Sequence, residues 1–306
     1  MRVLVLAGGT IAALACLFAA PAAAQDMEPR RWGHLPVGTD ILAVGYGYTF
    51  GDLHLDPVLR IEDAHVEMHT ALLSFNRYLT LFDTTTRLDV QVPFQDGEWN
   101  GLLDGAPAST SRTGFGDPRV RVSVALAGAP ALEADEWRAF KKANPENTIV
   151  GAALAVRLPL GEYHEDKLIN LGENRFSFEP QLGVVHTSGP WSYELTASAF
   201  FYTDNDDFFG DRRREQEPVY AVQSHVVRTF DSGFWVSGGT AYGWGGASAI
   251  DGVRKNDARS NLLFGGSLGF PLDRMQSIAF GWIHARTFED VGSDTDTFLV
   301  SWSVRF

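Results

Sequence analysis

Two histidines and a glutamate alternate along one stretch of the chain, at His65, Glu67 and His69. Imidazole and carboxylate groups are competent ligands for first-row transition metals, so a metal site is one hypothesis. On a strand the three side chains would share one face, but alternate residues lie about 7 Å apart, too far for all three to bind one ion. The spacing therefore favours polar residues on one face of a strand, which we expect to be the face that lines the lumen of a barrel. The sequence predicts neither a metal nor another cofactor.

A second group combines arginines with carboxylates on segments that alternate polar and apolar residues. Its members are Arg87, Asp89, Arg119, Arg121, Arg157, Glu179 and Glu194. Charges inside a protein must be paired or hydrated, so one hypothesis is a buried charge ladder that fixes the shape of the interior. The other is a constriction in a pore, where rings of charged side chains select solutes by charge. Under this second hypothesis the arginines favour anionic solutes such as aromatic carboxylates.

An acidic cluster precedes three consecutive arginines between residues 204 and 217. Asp204, Asp206 and Asp207 raise the hypothesis of a calcium site, because hard cations prefer clustered carboxylates. The full calcium-binding loop pattern is absent, so the segment is predicted to be a solvated external loop.

Hydroxyl, imidazole and amide groups that could serve a hydrolase also occur, at Ser123, Ser177, Ser198, His225 and Asn261. A nucleophilic serine needs a base within hydrogen-bonding reach. No segment presents a serine and a histidine at a suitable spacing. The sequence therefore predicts that the protein is not an enzyme, and a lipid-modifying barrel enzyme is left as an alternative.

The elements that must position these side chains are β-strands, and the last nine residues show the pattern clearly. One register is wholly apolar or aromatic: Phe298, Val300, Trp302, Val304 and Phe306. The opposite register is mostly small or polar: Leu299, Ser301, Ser303 and Arg305. Strict alternation over about 9–11 residues, with aromatic residues at the interfaces, is typical of a transmembrane barrel strand. Phe298, Trp302 and Phe306 are predicted to be the assembly signal that the barrel-insertion machinery recognises.

The same alternation recurs along the chain and predicts twelve strands. The connections alternate between long and short, as expected when short turns face the periplasm and long loops face outward. We therefore expect an all-β, antiparallel up-and-down barrel with both chain ends in the periplasm. The exception is the connection 128–147, where early acids and late bases predict a short amphipathic periplasmic helix near 131–142. This helix is expected on the barrel rim, with a partner-docking element or a lid under the pore as alternatives.

Two local features refine the predicted barrel. The disturbed alternation at Leu72 and Leu73 predicts a β-bulge. Twelve strands lie between the eight that side chains can fill and the sixteen to eighteen of open porins, so the pore should be narrow. The connection 95–116 and the residues before Ile41 are candidates to fold inward and restrict it.

The start of the chain predicts export. Arg2, a long apolar segment and Ala22-Ala23-Ala24 are typical of a secretory signal peptide at 1–24, cleaved after Ala24. A periplasmic lead-in at 25–37 and an outer-membrane barrel at 38–306 should follow. An uncleaved anchor and lipidation at Cys16 are the alternatives. Since Cys16 is the only cysteine, the mature chain is expected to have no disulfide and no thiolate metal site.

The charge of the chain bears on its partners. The net charge is −13, and loss of Arg2 with the signal leaves 24 basic against 38 acidic residues, or −14. An acidic chain is a poor partner for nucleic acid. The expected partners are outer-membrane lipid of a Gram-negative bacterium, the barrel-insertion machinery and small organic solutes.

Several short motifs follow one another in a familiar order. They are Tyr46-Gly47-Tyr48, Gly114-Phe115-Gly116-Asp117-Pro118-Arg119, Pro159-Leu160-Gly161, Leu168-Ile169-Asn170-Leu171-Gly172-Glu173-Asn174-Arg175, Phe178-Glu179-Pro180-Gln181-Leu182-Gly183 and Thr203-Asp204-Asn205-Asp206-Asp207-Phe208. As a set they resemble the bacterial meta-pathway phenol-degradation family, often labelled simply transporter, from about residue 40 to Phe306. The resemblance implies a porin-like outer-membrane barrel for uptake of small, often aromatic or hydrophobic, compounds. A structural or adhesive barrel is the alternative function.

The aromatic end of the chain generates a test of assembly. We expect Phe306→Ser to lower the amount of membrane-inserted protein strongly, because the insertion machinery should recognise the terminal aromatic residue and its apolar register. Heat-modifiable migration of membrane fractions in gel electrophoresis measures the folded barrel. A full yield of folded barrel from this variant would show that the terminal aromatic residue is dispensable.

Overall fold

The computed structural model describes residues 27–55 and 61–306. The predicted signal peptide, with Cys16, lies outside these residues. The first half of the chain forms β1 Asp40–His54, β2 Ile61–Leu81, β3 Thr84–Leu103, β4 Ala106–Phe115, β5 Arg119–Ala127, α1 Ala134–Ala143, β6 Glu146–Arg157 and β7 Ser177–Ser188. The second half forms β8 Trp191–Tyr202, β9 Asn205–Phe208, β10 Arg212–Gln216, β11 Val219–Thr229, β12 Trp235–Gly245, β13 Ser248–Ile250, β14 Val253–Arg254, β15 Arg259–Pro271, β16 Gln276–Thr287 and β17 Gly292–Arg305.

Twelve of these strands close into one antiparallel barrel. The ring runs β2-β1-β17-β16-β15-β12-β11-β8-β7-β6-β5-β3, and β3 pairs back onto β2. At the seam between the first and last strands, the backbone N–H groups of Asp40 and Phe306 each donate to the other's carbonyl at 3.0 Å. The predicted fold class and strand number are therefore confirmed. Closure matters because lipid offers no hydrogen-bonding partner to an open strand edge.

The strands alternate between a buried and an exposed side chain, as the sequence pattern predicts. In β17, Ser301 and Ser303 are buried, whereas Phe298 and Trp302 are exposed. The exposed face carries two aromatic sets, one near each end of the strands, and these ends are called extracellular and periplasmic according to the predicted orientation. They include Tyr48, Phe178, Phe201, Tyr220, Trp244, Trp282 and Phe298 in the first set, and Trp191, Phe230, Phe270, Trp302 and Phe306 in the second. Paired aromatic girdles around an apolar band are the surface of a membrane barrel.

The long connections form additional structure beyond the barrel. β3 and β4 continue as a hairpin whose two-residue turn, Asp104-Gly105, has φ angles of 50° and 76°. Positive φ at both central residues is the turn geometry that matches the twist of paired strands. The prediction that the connection 95–116 folds inward is therefore wrong, because its residues pair with each other. On another side, β9, β10, β13 and β14 form a small extracellular sheet.

The only α-helix of the described residues is α1, in the connection where a periplasmic helix is predicted. It begins at Ala134 rather than 131, because Glu133 caps its first turn through a reciprocal hydrogen bond with Glu136. Within residues 27–55 and 61–306, no helix has both the length and the apolar character needed to cross a membrane.

The segment before β1 lies inside the barrel. Residues 27–37, called here the N-terminal plug, contact inward-facing side chains of β8 and β11. The prediction of a periplasmic lead-in is wrong for these residues, and the alternative that the residues before Ile41 fold inward is what the structure has. The plug stays in the lumen because its polar groups find hydrogen-bonding partners there.

The topology can be tested by labelling. Single cysteines at Ala108 and Asp207, on the β3–β4 hairpin and in β9, should react with a membrane-impermeant thiol reagent on intact cells. A cysteine at Ser188, at the end of β7 and next to a short turn, should react only after the outer membrane is opened. Protection at Asp207 combined with reaction at Ser188 would invert the orientation of the barrel.

Candidate functional site

The N-terminal plug carries the carboxylate of Glu28, which is 3% exposed. Both of its oxygens accept hydrogen bonds from the guanidinium of Arg121, at 2.7 and 3.1 Å. Arg31 of the plug donates to it at 3.1 Å, and Arg87 of β3 at 3.3 Å. A carboxylate that is paired with a guanidinium through two hydrogen bonds is held in position as well as neutralised.

Asp89 completes this buried cluster from the barrel wall. It accepts hydrogen bonds from Arg87, from Arg121 at 3.0 Å and from Asn76 at 2.6 Å. Three arginines, Arg31, Arg87 and Arg121, therefore share two carboxylates. Removing one partner of such a buried set leaves an uncompensated charge and typically costs about 3–5 kcal/mol. The plug is thus bound to the wall by the charge of Glu28, which the arginines of the wall need as a partner.

Trp32 fixes the other side of the plug. Its indole N–H donates to the hydroxyl of Thr196 at 2.8 Å. The ring lies on Gly151 of β6 and Gly183 of β7, where a Cβ atom would come within 2.4 and 2.0 Å of it. Only glycine leaves room for an aromatic ring at these two inward positions. Beside it, the backbone N–H of Arg30 donates to Glu194 at 2.8 Å.

Two gaps beside the N-terminal plug are small. One gap next to Met27 and His225 has a volume of about 10 Å³. Another, next to Trp32 and Tyr78, has a volume of about 30 Å³. A single water molecule needs a cavity of about 10–15 Å³. Neither gap therefore admits an organic solute while the plug is in place.

His34 joins the N-terminal plug to α1 at the periplasmic end. Its Nε2 lies 2.9 Å from the carbonyl oxygen of Pro130, to which it donates, and its Nδ1 is buried with no partner among the described residues. Phe140 packs edge-on against the ring at 5.5 Å, and Trp137 donates to the His34 carbonyl at 3.1 Å. Burial lowers the pKa of His34 to about 4. The helix thus covers the end of the plug.

The structure separates the charged residues that the sequence groups together. Arg87, Asp89 and Arg121 meet around Glu28, which sequence analysis missed. Arg119 forms its own ion pair with Glu179 at 2.7 Å, and Glu194 binds the backbone of the plug. Arg157 lies opposite Arg119 in the strand register and faces a cavity above them. The charged residues therefore do not form one ring. They form a buried lower cluster around Glu28 and a separate upper group.

The placement of His65, Glu67 and His69 on the lumen face is wrong, because all three point outward. Their neighbours Val66 and Met68 are the buried residues of that part of β2. His65 lies 3.2 Å from Asp52, Glu67 accepts a hydrogen bond from Tyr48 at 3.1 Å, and His69 lies 2.5 Å from the Tyr46 hydroxyl. The three side chains thus have separate partners on the outer surface.

The predicted bulge at Leu72 and Leu73 is also wrong. Both residues pair in unbroken register with β1 and β3. The irregularity of β2 lies between Glu62 and His65, close to its start. An unbroken register keeps Leu73 and the three polar residues on the same outer face of the strand.

A cavity of about 320 Å³ lies in the upper half of the molecule, between the barrel mouth and the extracellular loops. We call it the extracellular cavity. Loop 158–176 forms one wall, and the small extracellular sheet forms another. Apolar residues such as Leu168, Ile169 and Phe200 line it together with charged groups. A concave site of this volume, in which apolar surface is combined with polar groups, is typical of small-ligand binding.

Asp117, between β4 and β5, holds the loop wall of the extracellular cavity in place. Its carboxylate accepts the backbone N–H groups of Gly161 and Glu173, both at 2.8 Å. Gly161 and Gly172 approach so closely that a Cβ on either would lie within about 3 Å of neighbouring atoms. Burial raises the pKa of Asp117, although both backbone hydrogen bonds oppose this. Three of the sequence motifs therefore meet at one carboxylate.

Arg175 and Glu173 project from the same loop. Two guanidinium nitrogens of Arg175 donate to Glu173 at 2.9 and 2.8 Å, and the group lies 4.3 Å from the centre of the Tyr202 ring. Burial opposes ionisation of Glu173, but Arg175 and Arg157 outweigh it and lower the pKa of Glu173 to about 2. Sequence analysis did not single out either residue as a site, although both stand in one of the motifs quoted above.

The residues behind the calcium and hydrolase hypotheses each have other partners. Arg213 pairs with Asp204 and, at 3.5 Å, with Asp206 in the β9–β10 hairpin. Nε2 of His225 lies 3.1 Å from Gln223, a neighbour on its own strand. Among the residues that the structure describes, no three His, Cys, Asp or Glu side chains are grouped to hold a metal ion.

A closed, twelve-stranded barrel with an apolar outer face is the fold of bacterial outer-membrane proteins. Residues 58–291 match the family model described as "Putative MetA-pathway of phenol degradation". The match spans most of the chain, so the chain belongs to this family. None of the curated protein sequences compared with the chain matches it.

Solved structures share the barrel. The COG4313 outer membrane channel from Pseudomonas putida F1 aligns over 92% of this chain and 100% of its own, with 23% identity and a TM-score of 0.74. The KdgM porin aligns over 86% and 99%, with 9% identity and a TM-score of 0.46. The CymD monoaromatic hydrocarbon channel aligns over 89% of both chains, with 6% identity and a TM-score of 0.45. The first of these likenesses establishes the shared fold.

His34 generates a prediction about pH. Because its pKa is about 4 when packed and about 6.5 when exposed, the packed state takes up its proton later as the pH falls. Its packing is therefore undisturbed above pH 6.5, and at pH 5 it should be less stable by about 2 kcal/mol.

Hydrogen exchange followed by mass spectrometry should show faster exchange in residues 27–37 at pH 5 than at pH 7.5, after correction for intrinsic rates. In His34→Gln, which cannot titrate, this additional exchange should disappear. Equal acceleration in both proteins would assign the effect to another group.

Proposed function

We propose that this chain is an outer-membrane channel for small organic solutes of aromatic or hydrophobic character. The observation that carries the proposal is the extracellular cavity, which lies among the loops at the mouth of a closed barrel whose lumen holds the N-terminal plug. Membership of a phenol-degradation family supports the solute class. The fold shared with the COG4313 outer membrane channel supports the location. Export would use the predicted signal peptide at 1–24, with periplasmic chain ends.

Passage through this barrel is gated by the N-terminal plug. The wall is continuously hydrogen bonded around the ring, and two gaps beside the plug are about 10 and 30 Å³. A solute in the extracellular cavity therefore reaches the periplasm when the plug shifts. The contacts to be broken are the ion pairs of Glu28 and the packing of Trp32. These contacts join the plug to the wall at separate points, so that the plug can loosen in part without leaving the lumen.

The filled lumen also supports a second candidate, a structural or adhesive barrel that transports nothing. Such a barrel would keep the N-terminal plug in place under all conditions, whereas a channel has to release it. The response of the protein to a weakened plug therefore separates the two functions.

Glu28→Gln is the variant that tests the channel. It removes the charge that Arg31, Arg87 and Arg121 share, and the three guanidinium groups then repel one another and loosen the plug. We expect at least several-fold higher ion conductance in planar bilayers, and faster swelling of liposomes in phenol, benzoate and sugar solutions, than for the wild-type protein. Glu67→Gln, which removes an exposed glutamate on the outer face of the same barrel, is the matched control.

A well-inserted Glu28→Gln protein that neither conducts nor passes any of these solutes would eliminate the channel. The structural-barrel function would then take its place.

A further inference from the structure

The extracellular cavity has an excess of positive charge. Six basic residues line it, namely Arg157, Arg175, Arg212, Arg214, Lys255 and Arg259. Three acidic residues, Asp117, Glu173 and Asp257, lie on the same surface. This excess is opposite in sign to the net charge of the chain, −13. Clefts lined by charge of one sign raise the local concentration of ligands with the opposite sign.

Arg175 has an unused hydrogen-bond donor. The residue is 4% exposed, and its Nε and Nη2 atoms are bound to Glu173. Its Nη1 atom is buried and has no hydrogen-bond partner among the described residues. Buried polar groups almost always have a partner, so this donor, on a residue that lines the cavity, is available to a bound water molecule or ligand.

Arg214 is a second cation whose charge is incompletely balanced. Its guanidinium lies 5.4 Å from the centre of the Phe208 ring, and within the described parts of the chain it forms no ion pair within 4 Å. Burial and the neighbouring Arg175 and Arg259 lower the pKa of Arg214 to about 10, against the opposing effect of Glu173 and Asp257. An anion between these guanidinium groups would relieve their repulsion.

The acidic residues of the cavity are already engaged. Asp117 binds two backbone N–H groups, and Asp257 binds the backbone N–H and the hydroxyl of Ser248 at 2.7 and 2.5 Å. Glu173 is the partner of Arg175. Their negative charges therefore hold the loops together and leave Arg214 and one edge of Arg175 for a ligand.

The cavity also has an apolar surface. Leu168 and Ile169 contribute from loop 158–176, Phe200 and Tyr202 from β8, and Phe208 from β9. A bare inorganic anion would leave these side chains without contacts. A ligand with an apolar body and one anionic group would use both kinds of surface, since guanidinium groups bind carboxylates through paired hydrogen bonds and aromatic rings pack against apolar bodies.

We propose that the extracellular cavity binds a small monocarboxylate with an aromatic or otherwise apolar body. Its carboxylate lies between Arg175 and Arg214, and its body lies against Leu168, Phe200 and Tyr202. The inference rests on the proposed channel function in naming the solute class, but binding itself can be measured without transport. It also moves the anion-selective element away from Arg87, Arg119 and Arg121, which carboxylates neutralise.

Binding is tested with the full-length protein in lipid nanodiscs by fluorine NMR. 4-Fluorobenzoate should bind at least about tenfold more tightly than 4-fluorobenzyl alcohol, its neutral counterpart, because hydrogen bonds to charged groups discriminate by roughly this factor or more. Acetate and inorganic phosphate, which have no apolar body, should compete at least about tenfold more weakly.

Two variants and a control locate the anion. Arg214→Met should weaken 4-fluorobenzoate binding about tenfold and leave the alcohol nearly unchanged. Arg175→Met should do the same, with heat-modifiable migration verifying the fold because this residue also holds Glu173. Arg213→Met, one residue along the same strand and ion-paired on the outside, should bind within about twofold of wild type.

Equal binding of acid and alcohol, unchanged binding in Arg214→Met, or no binding of 4-fluorobenzoate would overturn the inference. So would phosphate that competes as well as the benzoate. Specific binding without any transport by wild-type or Glu28→Gln protein would remove the channel function and leave this inference standing. Transport of neutral aromatics without preference for the acid would do the reverse.

Discussion

The pairing of β1 with β17 is the interaction on which the rest of the molecule depends. Without the ladder that runs from Ile41 opposite Arg305 to His54 opposite Gly292, two strand edges would face lipid with their backbone groups unsatisfied. Closure also separates the interior from the hydrocarbon. Only inside a closed wall can Arg121 and Asp89, each 2% exposed, stay charged at the depth of a membrane. The barrel therefore makes possible the polar contacts that then fill it.

The interior has two levels with different uses of charge. In the lower level, Glu28 and Asp89 balance the arginines of the wall, and Glu28 thereby holds the N-terminal plug in the lumen. In the upper level, carboxylates such as Asp117 are engaged in holding loops, and Arg214 keeps an incompletely balanced charge. The boundary lies near the pair Arg119–Glu179, next to Arg157, which is paired with Arg119 across the neighbouring strands. The same residue type thus closes one level and offers a binding surface in the other.

The barrel was predictable from sequence because period-two alternation is a local signal, as in Phe298 to Phe306. The plug was less predictable from sequence, since nothing within residues 27–37 shows that Glu28 contacts Arg121, which is far along the chain. The prediction that His65 to His69 face the lumen was wrong for a physical reason. That part of β2 projects beyond the membrane, where the outer face is wet, so polarity no longer distinguishes lumen from exterior. Leu73 faces outward, and counting back from it in steps of two residues would have placed His65 to His69 on the outer face.

The two strands of the seam stand at opposite ends of the described chain, and this has a kinetic consequence. Contacts between distant residues form slowly, because the entropy of closing a long loop must be lost before any of them contributes. The hydrogen bonds of Asp40 with Phe306 are therefore expected to form last. Since the plug directly precedes β1, it must be enclosed in the same final event. An assembly intermediate that lacks β17 would expose both an unpaired edge and a polar lumen to the bilayer.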